Sequence, residues 1–377
     1  MGTRCRGRLT SAAVVLLGLA GIGLTAACGT IASAANGGAG APAAAASATS
    51  GGAISEAGST LLQPLMAVWA SAYKQATGVT VKTAGGGSTL GIDDASSGAV
   101  DIGASDAYLS SGDVLKNPSL LNIPLAISAQ SIIYNLPEVP QTEHIKLTGA
   151  VLADMYNGTI TMWDDPMIAA LNGGIKLPAI PVVPLHRYPK GSGDTFIFTS
   201  YLSTQDATWN STVGYGAQVA WPKLASAVAV PDSVTMYQKC GTTRGCVGYN
   251  GVSYLAKAQA PPYNLGEAAL QNGGGHFTTP TGAAIQAEVS KFIAITPANE
   301  TIAMIAGPGG DGYPIVNYEY AIVSIHQPSA AQAKALKAFL TWVVTTGNGS
   351  SFLGPVGFQP LSPDIQTLSK QQIERIQ

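Results

Sequence analysis

Between residues 61 and 73 the large apolar side chains fall at Leu61, Leu62, Leu65, Met66, Trp69 and Tyr73. That three-and-four spacing marks one face of a helix, which Gly78 is expected to end. Val79-Thr80-Val81-Lys82 then reads as a short strand, Thr89–Ser97 as a second helix closed by Gly98, and Val100-Asp101-Ile102-Gly103 as the next strand. Strand, helix and strand at this pitch predict α/β layers with parallel pairing. Ile180–Pro184, Thr195–Leu202 and Ile315–Ile325 fit the same class, and Ala330–Val344 reads as a late surface helix ending at Gly347. No repeat of fixed period is visible.

Ahead of Ile54 the pattern changes. Met1–Arg8 carries three arginines and no acid, and Ala12–Ala27 is a run of 16 small and apolar residues broken by Gly18, Gly21 and Gly23. These are the charged and apolar regions of an export signal, too short and glycine-broken for a stable spanning helix. The run ends in Leu24-Thr25-Ala26-Ala27-Cys28-Gly29, which resembles a bacterial lipobox, where cleavage leaves Cys28 as a lipid-modified N-terminus. Ordinary secretion is the main alternative, and a plain membrane anchor a further one. Gly29–Gly52 is almost wholly Ala, Gly, Ser and Thr and reads as a flexible tether. The expected organisation is a signal over 1–27, a tether over 28–53 and a globular body from 54.

A chain of 377 residues allows two domains. Charged residues make up only 11%, against about 25% in an average globular chain, which argues against disorder driven by charge. Removing residues 1–27 takes three cations and no acid from a formal charge of −2, leaving −5. Without clustered cations no nucleic-acid partner is expected. The four histidines, His144, His186, His276 and His326, are scattered, and no zinc-type spacing exists, so neither metal nor cofactor is implied. Cys5 falls in the discarded segment and Cys28 is the acylation candidate, which leaves Cys240 and Cys246. In an exported protein that pair is read as a disulfide rather than two free thiols, and its spacing is not that of a CxxC redox site.

Three stretches share a glycine turn, then Ser or Thr, then an apolar helical run: Gly58-Ser59-Thr60-Leu61, Gly85-Gly86-Gly87-Ser88-Thr89-Leu90 and Gly191-Ser192-Gly193-Asp194-Thr195-Phe196. Each is first of all a helix cap. Free N–H groups and the positive dipole end also make every helix start a potential anion site, and three in one chain raise the prospect of a shared oxyanion. Arg187, five residues before Ser192, brings a guanidinium fork suited to a tetrahedral anion. Asp106, in Gly103-Ala104-Ser105-Asp106-Ala107, follows a strand where ligand loops lie in α/β sheets, although an isolated Asp there is more often a turn or cap residue.

Together with Tyr156-Asn157-Gly158-Thr159-Ile160, Trp163-Asp164-Asp165 and Gly312-Tyr313-Pro314-Ile315, these motifs resemble the phosphate-binding proteins of bacterial phosphate ABC transporters, the PstS family, over essentially the whole mature chain. The resemblance implies an α/β, two-lobed periplasmic-binding-protein type II fold with hinge crossings: lobe I from 54–134 plus 317–377, lobe II from 135–316. It maps phosphate contacts onto Thr60, Leu61, Ser88, Asp106, Arg187, Ser192, Gly193 and Asp194. It further implies a monomer held at the membrane by its lipid, passing inorganic phosphate to permease subunits with their ATPase. Asp194 stands where many relatives have Thr, and the loop from Arg187 to Ser192 is one residue longer than the family pattern, with Lys190 inside it.

Physical chemistry adds a selectivity argument. Phosphate near neutral pH keeps a proton to donate to the Asp106 carboxylate, whereas sulfate has none and would meet lone-pair repulsion. Polar mismatch of this kind discriminates by roughly 10⁴–10⁵. Two alternatives are a surface oxyanion sensor or adhesin of the same fold, and an exported phosphate-ester hydrolase built on His186, Ser192 and Asp194.

Overall fold

The computed structural model describes residues 53–377. The export signal, the proposed acylation site Cys28 and the tether as far as Gly52 lie outside the described residues.

Strand β1 (Ile54–Gly58), helix α1 (Gln63–Thr77), strand β2 (Val81–Gly85), helix α2 (Ser88–Ser97) and strand β3 (Ile102–Ser105) follow one another. The apolar stripe of α1 is its buried face, Leu65, Met66, Trp69 and Tyr73. Gly78 caps it at φ 78°, a left-handed conformation, with its N–H returned to the Lys74 carbonyl. Leu61 and Leu62 are buried just ahead of the helix, whose first turn holds Pro64. Strands β2 and β3 begin two residues later than the apolar pattern places them. The ladder decides this: Val81 pairs with Ile54 and Ile102 with Glu56 in the two parallel partnerships of β1. The segment expected at Ile180–Pro184 is likewise displaced to Val183–Arg187, where Val183 finds Cys246 as its parallel partner.

Pairing is mixed rather than wholly parallel. The strand β4 (Leu120–Tyr134) runs for 15 residues, every one buried, a span of roughly 50 Å. Its first part pairs antiparallel with Val316–Ser324, which pairs antiparallel with β3 on its other side. From Gln130 onward β4 changes partner and pairs antiparallel with Cys246–Gly251. Beyond that strand lie Val183–Arg187 and Val228–Val230, both parallel. One strand is thereby shared by two α/β halves, and the exchange point falls between Ala129 and Gln130. The tract Lys146–Leu147, Ala269–Gln271 and Phe277–Thr278 forms a separate small sheet.

Helix Ala330–Val344 is half sunk: Leu336, Phe339, Leu340 and Val343 are buried, and the Phe339 ring meets Tyr73 of α1 edge-on at 5.0 Å. It stops at Val344, and Gly347 lies in a following 3₁₀ turn whose carbonyl accepts from Trp69 Nε1 at 2.8 Å. Cys240 and Cys246 are disulfide-bonded with their Cα atoms 5.3 Å apart, tying the end of helix Ser233–Gly241 to the strand behind it. Closing so short a loop is worth about 2 kcal/mol on the chain-entropy account.

Candidate binding site

The parallel strands all deliver their C-terminal ends to one place, the position where open α/β sheets bind ligands. β1 ends at Gly58 and leads to Ser59 and Thr60; β2 leads through Gly86 and Gly87 to Ser88; β3 leads to Asp106. From the other half, Val183–Arg187 ends on Arg187 and precedes helix Gly193–Gln205, and Val228–Val230 precedes helix Ser233–Gly241.

In the first half, the buried Asp106 carboxylate accepts from Ser59 Oγ and, at 3.2 Å, from Ser88 Oγ. Ser88 Oγ also accepts from the Asp106 N–H at 3.1 Å. Ser59 Oγ accepts from the N–H groups of Leu61 at 3.1 Å and Leu62 at 3.0 Å, so the Leu61 N–H assigned to the ligand points at Ser59 in this conformation. In the second half, Arg187 Nη1 donates to Asp194 Oδ2 at 2.6 Å and to Ser233 Oγ at 3.2 Å. Its Nη2 donates to the Pro231 carbonyl at 3.0 Å and reaches Thr60 Oγ1 at 3.5 Å, while Nε is buried with no acceptor. The Arg187–Ser192 loop bulges outward: Tyr188, Pro189 and Lys190 are exposed whereas Arg187 is 5% exposed. Lys190 lines a cavity of about 360 Å³ together with Thr60, Gln63, Gly86 and Asp232.

The halves meet directly. Thr60 Oγ1 and Ser233 Oγ are 2.8 Å apart. A Cβ on Gly193 would stand 2.5 Å from both Asp106 Oδ2 and Ser88 Oγ; only a glycine lets the start of this helix come so close to the carboxylate. The N-termini of α2 and of Gly193–Gln205 therefore face one another across Asp106. The first helical hydrogen bonds run from Gly91 to Gly87 and from Phe196 to Ser192, so the N–H groups of the first turns have no helical acceptors. Ser192, buried at the helix start, makes no capping bond with its side chain.

Desolvation raises the Asp106 carboxyl to about 6, the nearby Asp194 charge adds to the rise, and hydrogen bonding and Arg187 oppose it. The arrangement is a buried acceptor ringed by hydroxyls, helix-start N–H groups and one guanidinium, complementary to a small oxyanion that carries its own proton. Among the described residues no group of three or more His, Cys, Asp or Glu side chains is placed to hold a metal ion.

Residues 43–346 match the PBP superfamily domain. The phosphate-binding protein PstS of Methanocaldococcus jannaschii is 32% identical over 347 residues, covering 86% of each chain. That of Pasteurella multocida is 31% identical over 299 residues, 78% of this chain and 82% of the relative. The chain belongs to the PstS family. Among solved structures, a high-affinity periplasmic phosphate-binding protein (PfluDING) bound with phosphate superposes at a TM-score of 0.65 and 19% identity, over 85% of this chain and 93% of that one. A phosphate-binding protein from Stenotrophomonas maltophilia gives 0.62 and 16%, over 85% and 93%. The architecture is the two-lobed periplasmic-binding-protein fold, with β4 running from one half into the other.

Within this PstS-family fold, Thr60, Ser88, Asp106, Arg187, Gly193 and Asp194 converge, with Ser192 at the edge of the same helix start. Four further residues belong to the cluster and were not picked out from sequence. Ser59 bonds Asp106. Ser233 donates to Asp194 Oδ2 at 3.0 Å. Gln130, at the partner exchange of β4, donates to the Asp194 carbonyl at 3.0 Å and to its Oδ1 at 3.2 Å. Glu319 is fully buried beside Asp106. Ser59 sat inside a quoted motif, and Asp232-Ser233 is a fourth hydroxyl at a helix start; Gln130 and Glu319 carry no local signal. His186 is turned elsewhere, its ring stacked on Trp221 with centroids 4.8 Å apart.

Proposed function

We propose that this protein is an extracytoplasmic solute-binding protein that captures inorganic phosphate and hands it to the permease and ATPase of an ABC importer. The observation that carries the reading is Asp106: a buried acceptor carboxylate, bonded by two serine hydroxyls and set against the opposing Gly193 helix start. The names of the relatives support it. Thr60, Ser88, Ser192, the Leu61 and Gly193 N–H groups and Arg187 hold the anion in this reading, and Asp106 accepts its proton. Several charge-assisted bonds of about 1.5–3 kcal/mol each suffice for micromolar or tighter binding.

The lobes of this reading are 54–134 with 317–377, and 135–316. The protein works as a monomer without enzymatic activity, tethered through acylated Cys28 to the outer face of the membrane. The hydrolase alternative is disfavoured by His186, which stacks on Trp221 instead of meeting Ser192.

Calorimetric titration of the purified chain with inorganic phosphate, with sulfate in a parallel cell, tests the reading. One-to-one phosphate binding at micromolar or below, without sulfate heat, is expected. Silence toward phosphate, once co-purified ligand has been ruled out, overturns it.

A further inference from the structure

In the phosphate reading Asp106 faces the anion; against it lies Glu319, on strand Val316–Ser324. Its side chain is 0% exposed. Asn317 Nδ2 donates to Glu319 Oε1 at 2.9 Å and also reaches the backbone carbonyl of Asp106 at 3.4 Å, so Asn317 ties the two acids together. Glu319 Oε2 is buried and finds no donor, and the carboxyl lies against the carboxylate of Asp106. Two ionised carboxylates offer each other only lone pairs, and burying both charges without a counter-ion is strongly unfavourable. One proton between them converts this repulsion into a hydrogen bond.

We propose that Glu319 is a positioning residue that holds that proton, donating it to Asp106 so that Asp106 stays ionised and aimed at the ligand as an acceptor. The inference rests on the phosphate reading and deepens it, because it explains how a buried carboxylate presents a fixed lone pair to a protonated oxyanion. The direction of titration agrees. Burial, and then the Asp106 charge, lift the Glu319 carboxyl well above its ordinary range, whereas Asp106 rises only to about 6. The charged groups facing the pair are Asp194, which opposes ionisation, and Arg187, which favours it at Asp106, both from the other half. The proposal places the proton on Glu319 near neutral pH. As the pH rises far enough to remove it, Asp106 loses its donor, a second negative charge appears behind the site, and anion affinity falls.

The test compares the full chain with Glu319→Gln and Glu319→Leu. Gln keeps a donor toward Asp106 and an acceptor for Asn317 at every pH; Leu keeps neither. Infrared difference spectroscopy of wild type against Glu319→Gln at pH 7 is expected to show a protonated-carboxyl band lost in the variant, a readout that needs no ligand. By calorimetry with inorganic phosphate at pH 7, Glu319→Gln, which keeps the donor, is expected to weaken binding less than Glu319→Leu does. Glu319→Leu, where it folds, should bind at least tenfold more weakly. Absence of the infrared difference overturns the proposal, as does equal phosphate affinity of Glu319→Gln and Glu319→Leu. If wild type itself gives no phosphate heat, the phosphate reading fails, and the infrared difference decides the location of the proton alone.

Discussion

At Asp106 a single oxygen-for-nitrogen exchange changes what the site can accept. The carboxylate has only lone pairs to offer, while an amide offers N–H donors as well. Asp106→Asn is therefore expected to admit sulfate, narrowing the phosphate-to-sulfate affinity ratio by at least about 100-fold, and parallel titrations with the two anions measure it. A variant that still ignores sulfate would show that selectivity lies elsewhere. Asp194 is the second acid of the site, and its charge is partly met by Arg187 at 2.6 Å and Ser233 at 3.0 Å. Each proton lost by the ligand increases the repulsion from that carboxylate. Asp194→Thr removes it and releases Arg187, so the decline of phosphate affinity from pH 7 to pH 9 should flatten; an unchanged decline would refute a role for Asp194 in reading protonation.

At the level of elements, closure depends on how near the helix Gly193–Gln205 comes to α2 and β3. Gly193→Ala places a methyl group 2.5 Å from both Asp106 Oδ2 and Ser88 Oγ, so the halves must stay apart by more than a relaxed side chain restores. Phosphate affinity is expected to drop by about 100-fold or more, with far-UV circular dichroism unchanged, because the added methyl group meets Asp106 and Ser88 of the site. Wild-type affinity in this variant would mean that the two helix starts need not meet. The same elements show what the chain's pattern reveals and what it hides. α1 and α2 were legible because capping glycines and helical spacing are local signals. The 15-residue β4 was not: Leu120–Tyr134 is buried on both faces, so it lacks the alternation that marks a strand. Strand starts slipped by two or three residues because register belongs to the partner strand. The site divides along the same line. Ser88, Asp106, Arg187 and Asp194 lie in or beside glycine-rich turns that announce themselves, whereas Gln130 and Glu319 sit mid-strand and acquire meaning only when β4 and Val316–Ser324 are laid side by side.

For the molecule as a whole, buried acids outside the site should govern how stability responds to pH. Glu56 is 3% exposed on β1, and desolvation raises it from 4.5 to about 8 against the opposing effect of a backbone hydrogen bond from Ala84. Glu300 accepts from Ser369 Oγ at 2.9 Å, leaves its other oxygen unpartnered, and is raised by burial from 4.5 to about 9. Both bind their proton more tightly folded than unfolded, so the native state holds more protons between the two values and stability must fall as pH rises. The stabilisation is complete below pH 4.5 and declines upward, the loss ending near pH 8 for Glu56 and near pH 9 for Glu300. Each tenfold difference in proton affinity is worth about 1.4 kcal/mol, so even roughly a third of these shifts, taken together, moves the melting temperature by several degrees. Melting temperatures in phosphate-free buffer should thus drop from pH 5 to pH 9. Glu56→Gln and Glu300→Gln mimic the protonated side chains at every pH: each should match wild type at pH 5, exceed it at pH 9, and reduce the slope between. Parallel curves for wild type and both variants would place the pH response in other groups, of which Asp106 and Glu319 are the first to examine, since phosphate binding reports on that pair independently.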